Sequence, residues 1–502
     1  QAGAIGMNDL KGNYDRIVHT VAILVLLSFG LHYESARFLM EVLQVAEHCI
    51  KTGFGVSQPL YGGYKKGEAP EMGLGQGNGN APTIWCLILS RMMDTMQNRG
   101  HSLDVKASLS LTLLSFVCFA FVDDTDIPVI APIRDMTGEE VAPVFQKAIN
   151  DWAGIVKATG GELEPAKLCV TLIDFEWTGD KWEYRDQRMR GNFTMKDQAG
   201  TDHPLERINP WESKQSLGIY LAADGNQLRE KEECEQICIE FGKKMMSAKC
   251  DKNTAQYTYE SHLMAKLSYR MAMTNFTRKE WCNIIWPAKK ATLLKMGMER
   301  NFPKDVLYGA KKLNGFSFNN PYDMQGVKKI MLYLQETSNM TDTGKWTVAT
   351  AEGLRLELGF NSTPAEMEWG KVSSLLTDCW YKGLIDFIHE STVFGHQIDL
   401  YEDLPQIPLL RRGDHFLMEK ILQGNYSSKE LNLINHIRIH LQALSIADIA
   451  TADGSHISPT AWNLTSSNNL RDNYDWPRGL PKITKEMIFL WRRVIKESFC
   501  SN

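Results

Sequence analysis

Phe121-Val122-Asp123-Asp124-Thr125-Asp126 is the stretch whose reading decides the fold. An apolar run arrives at two adjacent carboxylates, which repel one another, and a third carboxylate brought alongside would make a site that cations stabilise. Oxygen-rich sites of this kind suit Mg²⁺, which keeps substrate phosphates among its ligands. Two such ions about 3.5–4 Å apart form the clamp used for in-line displacement at phosphorus. Aspartate is also common in a turn at a strand end, so the pair alone leaves both uses open.

Working outward, residues 2–8 (Ala-Gly-Ala-Ile-Gly-Met-Asn) predict a short strand that ends at Asp9. In Asp9-Leu10-Lys11-Gly12-Asn13-Tyr14-Asp15 an acid at a strand end is followed five positions later by an aromatic. That spacing fits a nucleotide site: the carboxylate holds metal, and the ring lies near the sugar, where bulk excludes a 2′-hydroxyl. Asp15, ahead of an apolar helix over Val18–Phe29, is a suitable N-cap; the two readings use different aspartates. Between the acids lies Gly73-Leu74-Gly75-Gln76-Gly77-Asn78-Gly79-Asn80-Ala81-Pro82. Glycines there permit positive φ and close backbone approach, and a Gly-rich loop ahead of a helix can turn its N–H groups to phosphate. A flexible surface turn has the same composition. The Lys and Ser/Thr of a mononucleotide P-loop are absent from the required register.

The remaining pattern is mixed α/β as far as residue 225 and mainly helical after it. Helices are expected over Ser35–Thr52, Ala81–Met96 and Val141–Thr159 from their three- and four-residue apolar steps. A strand over Leu103–Phe121 leads into the aspartate pair, with a second at Pro128–Ile130, and Cys169–Glu176 and Lys181–Arg185 form a hairpin. Beyond 226, helices are expected over Gln227–Ala248, Tyr257–Thr274, Lys279–Met298, Met324–Glu336, Glu366–His389, Ser428–Ile446 and Lys482–Phe499.

The bulk numbers set limits. A chain of 502 residues, 43% hydrophobic and 23% charged, has ample material for large cores. Its net charge of −5 lacks the basic footprint of many nucleic-acid binders. Charge is unevenly spread, however: between Trp286 and Lys329 nine Lys/Arg face three acids, a net of +6. Such a stretch suits phosphate contacts, or is a solvated face. Ten cysteines lack framework spacing. Cys234, Cys238, Cys250 and His262 are spaced too loosely for the usual zinc pairs, and free thiols point to an intracellular setting, cytoplasmic or nuclear. No secretory signal is visible, and Val21–Leu27 and Leu111–Val122 are too short to span a bilayer. The chain begins at Gln1 rather than Met and reads as a fragment whose N-terminal part is missing.

Taken in order, acid, glycine loop and acid pair resemble the reverse transcriptase palm of non-LTR, LINE-like retrotransposons. Asp9 to Tyr14 resembles motif A, Gln76-Gly77 with Pro82 motif B, and Phe121-Val122-Asp123-Asp124 motif C. Gly160-Gly161-Glu162-Leu163 followed by Lys167 is similar to motif D, and Leu217-Gly218 to motif E, the primer grip. The resemblance implies an α+β fold: a palm over 1–225 with an antiparallel sheet flanked by helices and most of its fingers missing. A helical thumb-like region over 226–300, a mainly helical connection over 301–450 and a C-terminal extension over 451–502 would follow. It implies RNA-directed DNA synthesis with two Mg²⁺ ions (Mn²⁺ as a substitute), an RNA template, a DNA primer and dNTPs. Asp9, Asp123 and the Leu10 carbonyl would be metal ligands and Asp124 a supporting catalytic carboxylate. Tyr14, Gln76, Gly77 and Lys167 would bind nucleotide. An RNA-dependent RNA polymerase would more often carry Gly before the acid pair and a small or acidic residue where Tyr14 stands. A domesticated palm that binds nucleic acid without catalysis is the other alternative.

Overall fold

The computed structural model describes residues 2–10, 13–58, 60–63, 72–75, 77–122, 124–131, 136–179, 182–186, 193–197, 200–393, 398, 400, 404–409, 411–465, 474–477 and 482–499. The chain is mixed α and β and divides into two compact units. The first comprises Gln1–Asp104, Ser115–Thr178 and Trp182–Gly218; the second comprises Val105–Leu114, Gly179–Lys181 and Ile219–Asn502.

The first unit is built on a five-stranded sheet. Its strands in chain order are β1 (Gly3–Asp9), β2 (Phe119–Phe121), β3 (Asp124–Ile130), β4 (Cys169–Ile173) and β5 (Glu206–Ile208). Their order across the sheet is β5-β4-β1-β3-β2. β1 is therefore central and antiparallel to both neighbours, in a register that sets Gly6 against Val170 and Ile127 and Asp9 against Asp124. The sheet is not wholly antiparallel, because β4 and β5 run parallel. A parallel neighbour needs a long crossover, and residues 174–205 supply it; they include the hairpin of Phe175–Trp177 with Trp182–Tyr184.

Four helices share a core with this sheet. They are α1 (His19–Ser28), α2 (Tyr33–Val45), α3 (Ala81–Asn98) and α4 (Gly138–Ala158). Alternation along β3 sends Thr125, Ile127 and Val129 inward, into a core with Phe145, Ile149, Trp152, Trp85 and Ile88. α4 lies so close to β1 that a Cβ on Gly6 would sit 2.8 Å from the Phe145 ring. α4 begins with a capping box formed by Thr137 and Glu140, a motif that satisfies two orphan N–H groups.

Three sequence expectations are corrected here. The helix expected over Ser35–Thr52 is α2, which stops at Val45; Glu47, His48, Lys51 and Thr52 are exposed, in two-residue strands, with no apolar face left to bury. The single strand expected over Leu103–Phe121 is three strands, Leu103–Lys106, Leu113–Phe116 and β2, broken by a turn in which Leu111 has φ of +56°. Asp15 is not an N-cap: it lies inside the helical turn Asn13–Arg16, and α1 starts after Val18, which makes no side-chain cap.

The second unit is mainly helical. α5 (Leu228–Ser247) packs on α6 (Arg278–Lys295) so closely that a Cβ on Gly242 would lie 2.9 Å from the Pro287 carbonyl oxygen. Between them run Lys252–Thr258, a π-helical segment Tyr259–Met264 and Ala265–Met271. Arg270 donates to both carboxylate oxygens of the buried Glu230. Further on, α7 (Pro321–Ser338), α8 (Asp342–Leu358), α9 (Trp380–Val393), α10 (Ser428–Leu441) and α11 (Lys485–Phe499) share a core that runs from Tyr333 to Ile495. No helix among the described residues is long and apolar enough to cross a membrane.

Candidate active site

Asp124 sits where the chain, after β2, enters β3. Asp124 opens β3, half-buried, and its register partner across β1 is Asp9. Paired residues of antiparallel strands lie about 4.5–5.5 Å apart at Cα, so residues 115 positions apart in sequence meet at one end of the sheet. Asn8 fastens this end by donating from Nδ2 to the Thr125 carbonyl at 3.2 Å. Asp123 and the side chain of Asp9 lie outside the described residues.

Asp126 shares a strand face with Asp124. It is largely buried, and its carboxyl is pushed up to about 6, first by burial and then by the charge of Asp124; the Ser216 hydroxyl, hydrogen-bonded to it, pulls the other way. A carboxyl raised by a neighbouring carboxylate marks a surplus of negative charge, which is what a divalent cation relieves. Carboxylate oxygens such as those of Asp124 and Asp126 are of the donor class that a hard cation such as Mg²⁺ takes. Among the described residues no three His, Cys, Asp or Glu side chains converge as a metal site.

Val122, the last described residue before the pair, has φ of +57°. Its carbonyl accepts a hydrogen bond of 2.6 Å from the indole Nε1 of Trp85, on α3. α3 is the helix that follows the glycine loop, so loop and acid turn are tied through it.

The glycine loop is docked rather than loose. The Leu74 N–H donates to the Tyr14 carbonyl at 2.5 Å and the Gly73 N–H to the Ile17 carbonyl at 2.9 Å. His19 is 2.6 Å from the Gly73 carbonyl through Nε2 and 2.8 Å from Gln44 Nε2 through Nδ1. The carbonyl can only accept, so Nε2 carries the proton and Nδ1 accepts from Gln44. Gly73 has φ of +93°, and a Cβ there would lie 2.6 Å from the Asp15 backbone; only glycine allows this approach. Gly77 has φ of +92° and is exposed. Asn78 completes the turn, donating to the Leu74 carbonyl and accepting from the Asn80 N–H ahead of α3. Gln76 lies outside the described residues.

The Gly160–Leu163 stretch lies along the same segment. The Val18 N–H donates to the Thr159 carbonyl at 2.9 Å, Arg16 pairs with Glu162 at 2.6 Å, and Leu10 forms a bridge to Leu163. Tyr14, half-buried against the core of the first unit, is thus flanked through its own backbone segment by both neighbouring motifs. Lys167 is exposed at the end of a short 3₁₀ turn before β4. Leu217 and Gly218 both have positive φ, +50° and +81°, directly after the strand Lys214–Ser216. That strand is fastened by Ser216 to Asp126 and by Lys214 to Glu206 at 2.7 Å.

Asp9, Leu10, Tyr14, Gly77 and Asp124 thus belong to segments that the fold draws together, and the strand ahead of Leu217-Gly218 joins them through Ser216. Trp85, Asp126 and Ser216 are additions that sequence reading missed. Only Asp126 carried a signal: an acid two positions beyond Asp124 shares its face if the segment is a strand. The basic stretch from 286 to 329 is corrected in part, since Lys289 and Lys329 are buried and cannot meet phosphate; Lys290, Arg300, Lys304, Lys311 and Lys312 are exposed. Cys234 and Cys238 are buried free thiols, and Cys250 contacts the Met245 sulfur. No protein-family model matches the chain, and no curated protein matches it either.

Proposed function

We propose that the first unit is a polymerase palm of the reverse-transcriptase kind, taking dNTPs onto a DNA primer against an RNA template, as in non-LTR retrotransposons. The register of Asp9 against Asp124 at a strand–turn–strand end carries this reading. It gives two separated acid motifs a common location, which an isolated acidic turn has no reason to do.

In the proposed reaction the primer 3′ hydroxyl gives its proton to solvent and its oxygen bonds to the α-phosphorus of the dNTP. The α–β anhydride bond breaks and pyrophosphate leaves with the electron pair. Two Mg²⁺ ions, or Mn²⁺, held by Asp9, Asp123 and the Leu10 carbonyl, would supply activation of the hydroxyl and charge stabilisation of the leaving group. Asp124 orients and tunes that set from beside it. Tyr14 bars a 2′-hydroxyl, the docked glycine loop with Gln76 and Gly77 supports the incoming nucleotide, Lys167 meets its phosphates, and Leu217-Gly218 bear on the primer. The mainly helical second unit acts as thumb and connection. Its exposed Lys290, Arg300, Lys304, Lys311 and Lys312 suit backbone phosphates without reading sequence.

Extension of a DNA primer on an RNA template with Mg²⁺ and dNTPs tests the reading. Asp123→Asn/Asp124→Asn should cut incorporation about a thousandfold, the scale of several kcal/mol removed from the transition state. Incorporation that survives the double substitution rejects the assigned site. Tyr14→Val should raise ribonucleotide use about tenfold or more. Equal use of both sugars by the unaltered chain points instead to an RNA polymerase.

A further inference from the structure

The turn between β2 and β3 has a backbone problem that the acid motif does not explain. Val122 is β-branched and lies at φ of +57°, a region where such a residue is a genuine outlier. Residues held this way persist only where surrounding structure over-determines them. The contact that does so here is specific. Trp85, 2% exposed, lies in the core of the first unit, and its indole Nε1 reaches the Val122 carbonyl at 2.6 Å. Burial alone does not demand such an arrangement. Trp152, also in this core and 1% exposed, has an indole N–H without a hydrogen-bond partner among the described residues.

We infer that Trp85 is a positioning residue: its indole N–H holds the Val122 carbonyl and keeps the turn leading into Asp123-Asp124 in its left-handed conformation. The hold itself rests on the geometry alone; only its consequence for catalysis rests on the palm reading. Because Trp85 follows the glycine loop on the same helix, a shift of that loop would reach the acid pair through one side chain.

The test uses the full chain with Trp85→Phe, which keeps an aromatic ring and removes the N–H. Trp152→Phe serves as control, and Val122→Asn in the Trp85→Phe background as rescue, because Asn tolerates the left-handed region. Hydrogen exchange of the peptide over residues 116–126 reads the hold without any activity. Trp85→Phe should speed exchange there about tenfold, the effect of losing one partly buried hydrogen bond. Trp152→Phe should leave it at the unaltered rate, and the rescue should return it to within about threefold. Mn²⁺ affinity, followed by electron paramagnetic resonance, and the Mn²⁺ midpoint for primer extension should weaken in parallel. Unchanged exchange in Trp85→Phe, or an equal change in Trp152→Phe, overturns the inference. If exchange responds as stated but the unaltered chain neither binds Mn²⁺ nor extends a primer, the hold stands and the palm reading falls.

Discussion

At Asp126 the local chemistry has a measurable sign. An aspartate in an unfolded chain titrates near 3.9, whereas burial and then the Asp124 charge push the folded Asp126 up to about 6. Between these values the folded chain keeps a proton that the unfolded chain has lost. Stability therefore falls as pH rises through that window, and the loss is complete above it. Asp126→Asn should raise stability at pH 7 by on the order of 2 kcal/mol and change little below about pH 4, as read by urea unfolding at both values. Under the palm reading, Mg²⁺ should shift the acidic limb of this curve to lower pH in the unaltered chain but not in Asp126→Asn. The individual acids were legible in the sequence because Asp9, Asp123 and Asp124 stand out against apolar neighbours. The groups that surround them were not. Nothing local marks Trp85 as a partner of a carbonyl 37 positions away, or Ser216 as one for Asp126, since only the folded sheet brings them within reach.

Among elements, the Gly160–Leu163 segment depends on a single atom's absence. Gly160 has φ of +91°, and a Cβ there would lie 2.3 Å from the Arg16 carbonyl oxygen. Gly160→Ala should cost about 3 kcal/mol through strain and displaced backbone, seen as a lower denaturant midpoint. It should also break the Arg16–Glu162 pair, so that Glu162→Gln adds little in that background. Apolar periodicity located α3, α4, α5 and α6 to within a few residues, because each buries one continuous stripe. It failed where burial gave no period. α8, rich in threonine at 341, 343, 347 and 350, had no helix assigned, yet Thr341 caps it by accepting from the Gly344 N–H. The parallel pairing of β4 with β5 also escaped sequence reading, because a strand of three residues is too short to show alternation.

On the scale of the molecule, the second unit carries a buried charge problem that the sequence disguised as a basic face. Lys329 is fully buried; burial lowers it to about 7, and its amine donates to Asn275 and to the Trp380 carbonyl. From about pH 7 to the ordinary lysine value the unfolded chain binds a proton that the folded chain lacks, so stability rises with pH across that window. Lys329→Met should therefore stabilise the second unit near pH 7 by about 2 kcal/mol, after allowing for the orphaned Asn275. The gain should vanish near pH 10, as measured by thermal unfolding at the two values. The central place of β1 has a consequence for how the protein is made. Once made, β1 has its partners still ahead, at residues 124–130 and 169–173, so it must wait for them until well over a hundred further residues have been synthesised. Non-local pairing of this kind is slow and leaves strand edges uncovered meanwhile. The nascent chain is thus most exposed to mispairing before β3 emerges, and the arrival of the aspartate turn first gives β1 an edge to join.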